Sequence, residues 1–119
     1  MKFFDSYAII EIIKGSPNYE KYKEETFLTN SLNLSEVTYF LLREIHEKEI
    51  KKILNKLNFV LIEINENIAI ESAIFRYKNK EIKLSYADCI GYITAIKNNL
   101  VFLTGDKEFE EFKNVEFVK

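Results

Sequence analysis

Four carboxylates, Asp5, Glu36, Asp88 and Asp106, stand where side-chain oxygens could gather for chemistry. Asp5 closes the short apolar run "KFF", and Asp106 follows the run "LVFLTG". Glu36 lies in the expected first turn of a helical stretch. Asp88 lies in the first turn of a strongly apolar one, among Ala87, Cys89, Ile90 and Ile93. Each acid alone has an ordinary reading. Acids in first helical turns favour the helix dipole, and Asp after a strand is common in turns. Brought together, the four would repel, and each would resist ionising. A hard divalent cation removes that conflict, because oxygen ligands suit Mg²⁺ or Mn²⁺. The cation that four such acids lack is then a metal ion.

The remaining composition narrows the alternatives. The length of 119 residues predicts one domain, 1–119, with one core, and 47% hydrophobic residues are enough to fill it. Seventeen basic residues against nineteen acidic ones leave a net charge of -2. The chain as a whole therefore has no pull on nucleic acid, and any such contact must be local or carried by metal ions. A single cysteine, Cys89, excludes an intrachain disulfide and a multi-cysteine zinc site, and reads as a small core hydrophobe. The only histidine, His46 in "REIHEKEI", reads as a solvated helical residue without partners for a metal site. No apolar run approaches the roughly 20 residues of a membrane span. No leader is visible before a first strand at Lys2 or Phe3, so a soluble cytoplasmic protein without a membrane partner is expected.

The elements that must position the acids follow from periodicity. "KFFD" predicts a strand. "SYAIIEIIK" predicts a helix with Ile9, Ile10, Ile12 and Ile13 buried, stopped by Gly15-Ser16-Pro17. "NYEKYKEE" reads as a polar, amphipathic second helix and "FLTNS" as a strand. "LNLSEVTYFLLREI" predicts a helix opening near Asn33 to Ser35, with Val37, Phe40, Leu41 and Ile45 in the core. "HEKEIKKILNKL" continues helical through Ile50, Ile53, Leu54 and Leu57, and "FVLIEI" is a strand. "NENIAIESAIFRYKNK" places Ile70, Ala73, Ile74 and Tyr77 at helical offsets behind an Asn65 cap. "SYADCIGYITAIKNN" is a helix capped by Ser85, "LVFL" a strand, "KEFEEF" a short helix and "VEFV" a final strand. Strands separated by helices predict an α/β fold: a central parallel sheet of about five strands covered by helices on both faces. In such a sheet ligands bind beyond the carboxyl ends of the strands. Asp5 and Asp106 project there, and helices that follow strands begin there.

The segments "FFDSYAIIEII", "LNLSEVTYFLL", "LSYADCIGYITAIKNN" and "LVFLTGDKEF" together resemble the PIN-domain family, in particular the small prokaryotic toxin ribonucleases of the VapC type. The likeness spans nearly the whole chain. No single motif is specific, but four occur in the right order and spacing. The resemblance implies a three-layer α/β fold with strand order 3-2-1-4-5 and metal-dependent cleavage of RNA phosphodiesters. It implies Mg²⁺ or Mn²⁺ held by Asp5, Glu36, Asp88 and Asp106. Ser6 and Thr104 match the family's small hydroxyl residues, with a role in orienting the ligands. A cognate antitoxin and a homodimer are the partners it implies. Tyr7 departs from the family's usual small residue, as a group that crowds the site entrance or stacks on a base.

Substrate contacts are less marked. Lys51, Lys52 and Lys56 form a basic helix face that reads as solvated, while Lys107 beside Asp106 is better placed to meet a phosphate. Tyr86 and Tyr92 suit either base stacking or packing. A phosphoacceptor switch also places an Asp at a strand end, but Phe4 stands where its acidic pair would be needed. A non-catalytic RNA- or protein-binding module, and an RNA-processing nuclease outside toxin–antitoxin systems, remain as further readings.

Overall fold

The computed structural model describes all 119 residues. Five strands form one parallel sheet: β1 Lys2–Phe4, β2 Phe27–Thr29, β3 Phe59–Leu61, β4 Val101–Thr104 and β5 Val115–Phe117. Their order is β3-β2-β1-β4-β5, and every neighbouring pair is parallel. The helices are α1 Ser6–Lys14, α2 Ser31–Leu42, α3 Glu47–Lys56, α4 Glu66–Lys78 and α5 Tyr86–Lys97. This is the expected three-layer arrangement.

The layers follow from alternation along the strands. Phe3 and Phe102 face one side, where they meet Ile68, Cys89, Tyr92 and Phe109. Phe4, Phe27 and Leu103 face the other, against Ala8, Ile9, Val37, Leu41 and Ile50. Helices cover both faces of the central strands, while Val60 and Leu61 of the edge strand β3 stay exposed. Tyr92 is therefore a packing residue, its ring edge-on to Phe102 and its hydroxyl donating to the Lys113 carbonyl. Cys89 is fully buried, and burial pushes its thiol up to about 11, so it is inert at neutral pH.

The structure departs from the sequence expectations at several elements. The segment read as a second helix is a short 3₁₀ stretch, Pro17–Tyr22, because Tyr19 and Tyr22 both turn into the core and leave no continuous polar face. The long helix opens at Ser31 rather than near Asn33 to Ser35, since Asn30 caps it by accepting from the Asn33 N–H. Ile45 lies past the end of that helix and is exposed, because the helix stops at Leu42. On α4 the residues noted at helical offsets, Ile70, Ala73, Ile74 and Tyr77, face outward. Ile68 and Ser72 are buried instead, with Phe75 packed alongside. His46 is not inside a helix but at its start, accepting from the Lys48 N–H.

Candidate active site

The carboxyl edge of the sheet is built around Asp5. Its N–H donates to the Leu103 carbonyl at 3.1 Å, which ties it to β4, and its own carbonyl accepts the first α1 bond from Ile9. Asp5 occupies the N-cap position of α1, yet its side chain does not cap. Instead Oδ2 accepts from the Thr104 hydroxyl at 2.7 Å, across 99 residues of sequence. Thr104 in turn accepts from the Asp106 N–H at 3.1 Å. One hydroxyl thus links the strand-end acid of β1 to the turn that carries Asp106. Between them, Gly105 has no room for a Cβ, which would collide with the Tyr7 ring and the Val118 carbonyl.

Glu36 reaches the same edge from α2. Because that helix begins at Ser31, Glu36 sits in its second turn, not the first as the sequence suggested. Glu36 Oε1 accepts from the Ser6 hydroxyl at 3.0 Å. Two asparagines hold α2 in this position. Asn33 Oδ1 accepts from the Ser6 N–H at 3.0 Å, and Asn33 Nδ2 donates to Asn30 Oδ1 at 3.0 Å. Both are fully buried, and Asn30 Nδ2 has no partner. Sequence reasoning missed this pair. Its only signal was two amides beside a strand end, where a polar group must find a bond or stay out of the core.

Asp88 is the third residue of α5, in a capping box with Ser85: the Ser85 N–H donates to Asp88 Oδ2 at 2.9 Å, and the Asp88 N–H donates to Ser85 Oγ at 3.0 Å. Asp106 Oδ1 accepts from the Glu108 N–H and caps a 3₁₀ turn, Lys107–Phe109. For these two acids the ordinary capping roles are real. The structure adds that their charges reach one another.

Burial and repulsion act together on these groups. Asp5 is 3% exposed. Desolvation, first of all, raises its carboxyl from 3.8 to about 7; the charges of Asp88 and Glu36 push the same way, against the Thr104 bond. The Glu36 carboxyl is raised by partial desolvation, with Asp88 adding, against its bond from Ser6. Asp88 is raised by burial, with Asp106 and Glu108 adding, against its bonds to Ser85. No Lys or Arg forms an ion pair with any of the four. The donor set is all oxygen and uncompensated, which fits a hard divalent cation. In this conformation no three of these acids close around one point tightly enough to enclose an ion. Each accepts instead from a neutral donor: Thr104, Ser6, Ser85 or the Glu108 N–H.

The other candidates fall into place. Lys107 is exposed at the rim beside Asp106. Tyr7 is half-buried, with its ring near Tyr19 and against Gly105, so packing explains its bulk. Lys51, Lys52 and Lys56 are exposed on α3, and Lys52 pairs with Glu49.

A parallel sheet with acids from four elements at its carboxyl edge defines an α/β protein with an acidic site at the strand ends. The family model of the PIN domain matches residues 2–115, and the chain belongs to that family. No curated protein sequence matches it. Among solved structures, a toxin–antitoxin complex from Klebsiella pneumoniae aligns with TM-score 0.78 and 23% identity, over 98% of this chain and 96% of that one. VapBC2 from Rickettsia felis, bound to a DNA fragment from its promoter, gives 0.77 and 16%, over 99% and 98%. The Mycobacterium tuberculosis toxin VapC20, which cleaves the sarcin–ricin loop, gives 0.80 and 13% over all of both chains. At these identities the likeness is one of fold.

Proposed function

We propose that residues 1–119 act as one domain, an Mg²⁺- or Mn²⁺-dependent endoribonuclease that is the toxin of a toxin–antitoxin pair. One observation carries this reading. Burial raises the proton affinity of Asp5 after β1, Glu36 on α2 and Asp88 on α5, and neighbouring charges add to it: Asp88 and Glu36 on Asp5, Asp88 on Glu36, and Asp106 on Asp88. Family membership and the toxin folds that align over nearly the whole chain support it.

Asp5, Glu36, Asp88 and Asp106 would hold the metal. A divalent cation, when bound, lowers the pKa of water and stabilises charge on the attacked phosphate and on the leaving oxygen. Asp5, buried and tied to two strands, fixes the centre of the site. Thr104 orients its carboxylate, and Ser6 orients that of Glu36, so neither acid has to search for its place. Glu36, the most accessible of the three acids with raised proton affinity, is placed to position the attacking water. Lys107 stands at the rim to meet a phosphate.

The absence of a preformed three-acid cluster favours a second reading, a PIN-like module that binds RNA or protein without cleaving. One experiment separates the two. Structured RNAs are incubated with Mg²⁺ or Mn²⁺ and wild type, Asp5→Asn or Asp88→Asn. Cleavage by wild type alone, abolished by EDTA, is the expected result. Equal cleavage by all three proteins, or none by wild type, ends the nuclease reading. The toxin assignment is tested by expression in cells. Growth arrest that Asp5→Asn relieves supports it, and unimpaired growth with active enzyme points to an RNA-processing role.

A further inference from the structure

The chain has only two arginines, Arg43 and Arg76, among nineteen acidic residues, and neither forms an ion pair. Each lies over an exposed tyrosine instead. The Arg76 guanidinium is 4.4 Å from the centroid of Tyr86, and that of Arg43 is 5.7 Å from Tyr39. Tyr86 is 57% exposed and Tyr39 66%. A guanidinium held over an aromatic ring joins a cation to an exposed π-face in one surface feature, an Arg–Tyr platform.

Each platform lines a cleft that borders the acidic site. Arg43 and Tyr39 share a cleft of about 490 Å³ with Ser6 and Glu36. Arg76 and Tyr86 share one of about 560 Å³ with Lys80, Lys83 and Ser85, and Ser85 is the residue that caps Asp88. No acidic side chain lines the second cleft. The chain therefore carries one Arg–Tyr platform on the α2 side of the carboxylates and another on the α5 side. With a net charge of -2 and an acidic centre, attraction for a polyanion must come from such local groups. Exposed rings next to cations are also how single-stranded nucleic acid is held, by stacking on bases and pairing with phosphates.

We propose that these two platforms seat the nucleotides on either side of the scissile phosphate, so that the substrate is an unpaired RNA segment spanning both clefts. This rests on the ribonuclease reading and names where its substrate lies. Bases locked in a duplex cannot stack on protein rings, so the two seats select loops and single strands over helices.

The test is binding of a short fluorescein-labelled single-stranded RNA of mixed sequence, followed by anisotropy in EDTA so that no cleavage occurs. Arg43→Ala and Tyr86→Ala should each weaken binding about tenfold, the loss of one stacked base. The same strand annealed to its complement should bind wild type more weakly. Arg43→Lys keeps the charge but not the flat fork, and should recover only part of the loss. Lys51→Ala, on the remote α3 face, should change nothing. Arg76→Ala also removes the bond from Nε to the Leu84 carbonyl, so Tyr86→Ala is the deciding variant at that cleft. Binding by Arg43→Ala or Tyr86→Ala within about twofold of wild type overturns the two-seat proposal. That is also the outcome if the clefts take a protein segment instead of RNA. Asp5-dependent cleavage with unchanged binding would leave the nuclease reading standing and this one refuted. Loss of Asp5-dependent cleavage in wild type is the separate failure of the nuclease reading.

Discussion

Asp5 shows how one buried carboxyl couples folding to pH. Its ordinary value is 3.8, and in the folded protein burial lifts it to about 7. Between these values the folded chain keeps a proton that the unfolded chain has released. Stability from this group is therefore fully present below pH 3.8 and falls as the pH rises to about 7. Glu36 and Asp88 shift in the same direction. Asp5→Asn should flatten much of that slope and make the metal-free protein more stable than wild type at pH 8. One pKa unit is worth about 1.4 kcal/mol, so the gain has an upper bound of ~4 kcal/mol. Urea denaturation at a series of pH values measures it, and matching slopes for both proteins would refute the burial account. A cation that binds the ionised carboxylate would offset the same cost, which is the physical link between this instability and a metal site.

Among the helices, caps were easier to read than faces. Asn65 and Ser85 were recognisable as caps, and both accept the expected backbone N–H. The start of α2 was not, because Asn30 belongs to a strand end by composition and becomes a cap only through its bond to the Asn33 N–H. The buried face of α4 was not legible for a different reason. Its sequence carries apolar side chains around most of the helix, from Ile68 through Ala69, Ile70, Ala73, Ile74, Phe75 and Tyr77, so several stripes satisfy a 3.6-residue period. Packing against α5 and the sheet selects the stripe of Ile68, Ser72 and Phe75. Ile68→Ala should therefore cost about 2–4 kcal/mol, as for other buried large-to-small changes. Ile70, 55% exposed, should cost less than about 0.5 kcal/mol when changed to Ala. Equal losses in urea midpoint would contradict this orientation of α4.

The molecule as a whole leaves that rejected stripe uncovered. Ile70, Ile74 and Tyr77, at i, i+4 and i+7, are 55%, 48% and 70% exposed. A run of this kind on a small protein marks a contact surface. On the helices between Leu34 and Leu57, Ile50 is buried and Ile53 and Leu54 pack on the core, while Tyr39 and Leu42 stay exposed. We expect the isolated chain to self-associate, and Ile70→Glu with Ile74→Glu to return it to monomer. Sedimentation velocity over a range of concentrations reads this directly; a wild type that stays monomeric throughout contradicts it. No helix is long and apolar enough to cross a membrane.

Whatever depends on near neighbours was legible in the chain itself: the alternation that makes strands, the helical periods, two of the caps, and the acids at the ends of elements. The parallel sheet followed from the way helices separate the strands, and its order from resemblance to a family. Folding in three dimensions settled what depends on distant groups meeting. Thr104 finds Asp5 across 99 residues, Asn33 finds Ser6 across 27, and the face of α4 is chosen by what lies beneath it. Local periodicity holds no information on such meetings, because they are fixed by how layers pack and by the need of each buried polar group for a partner.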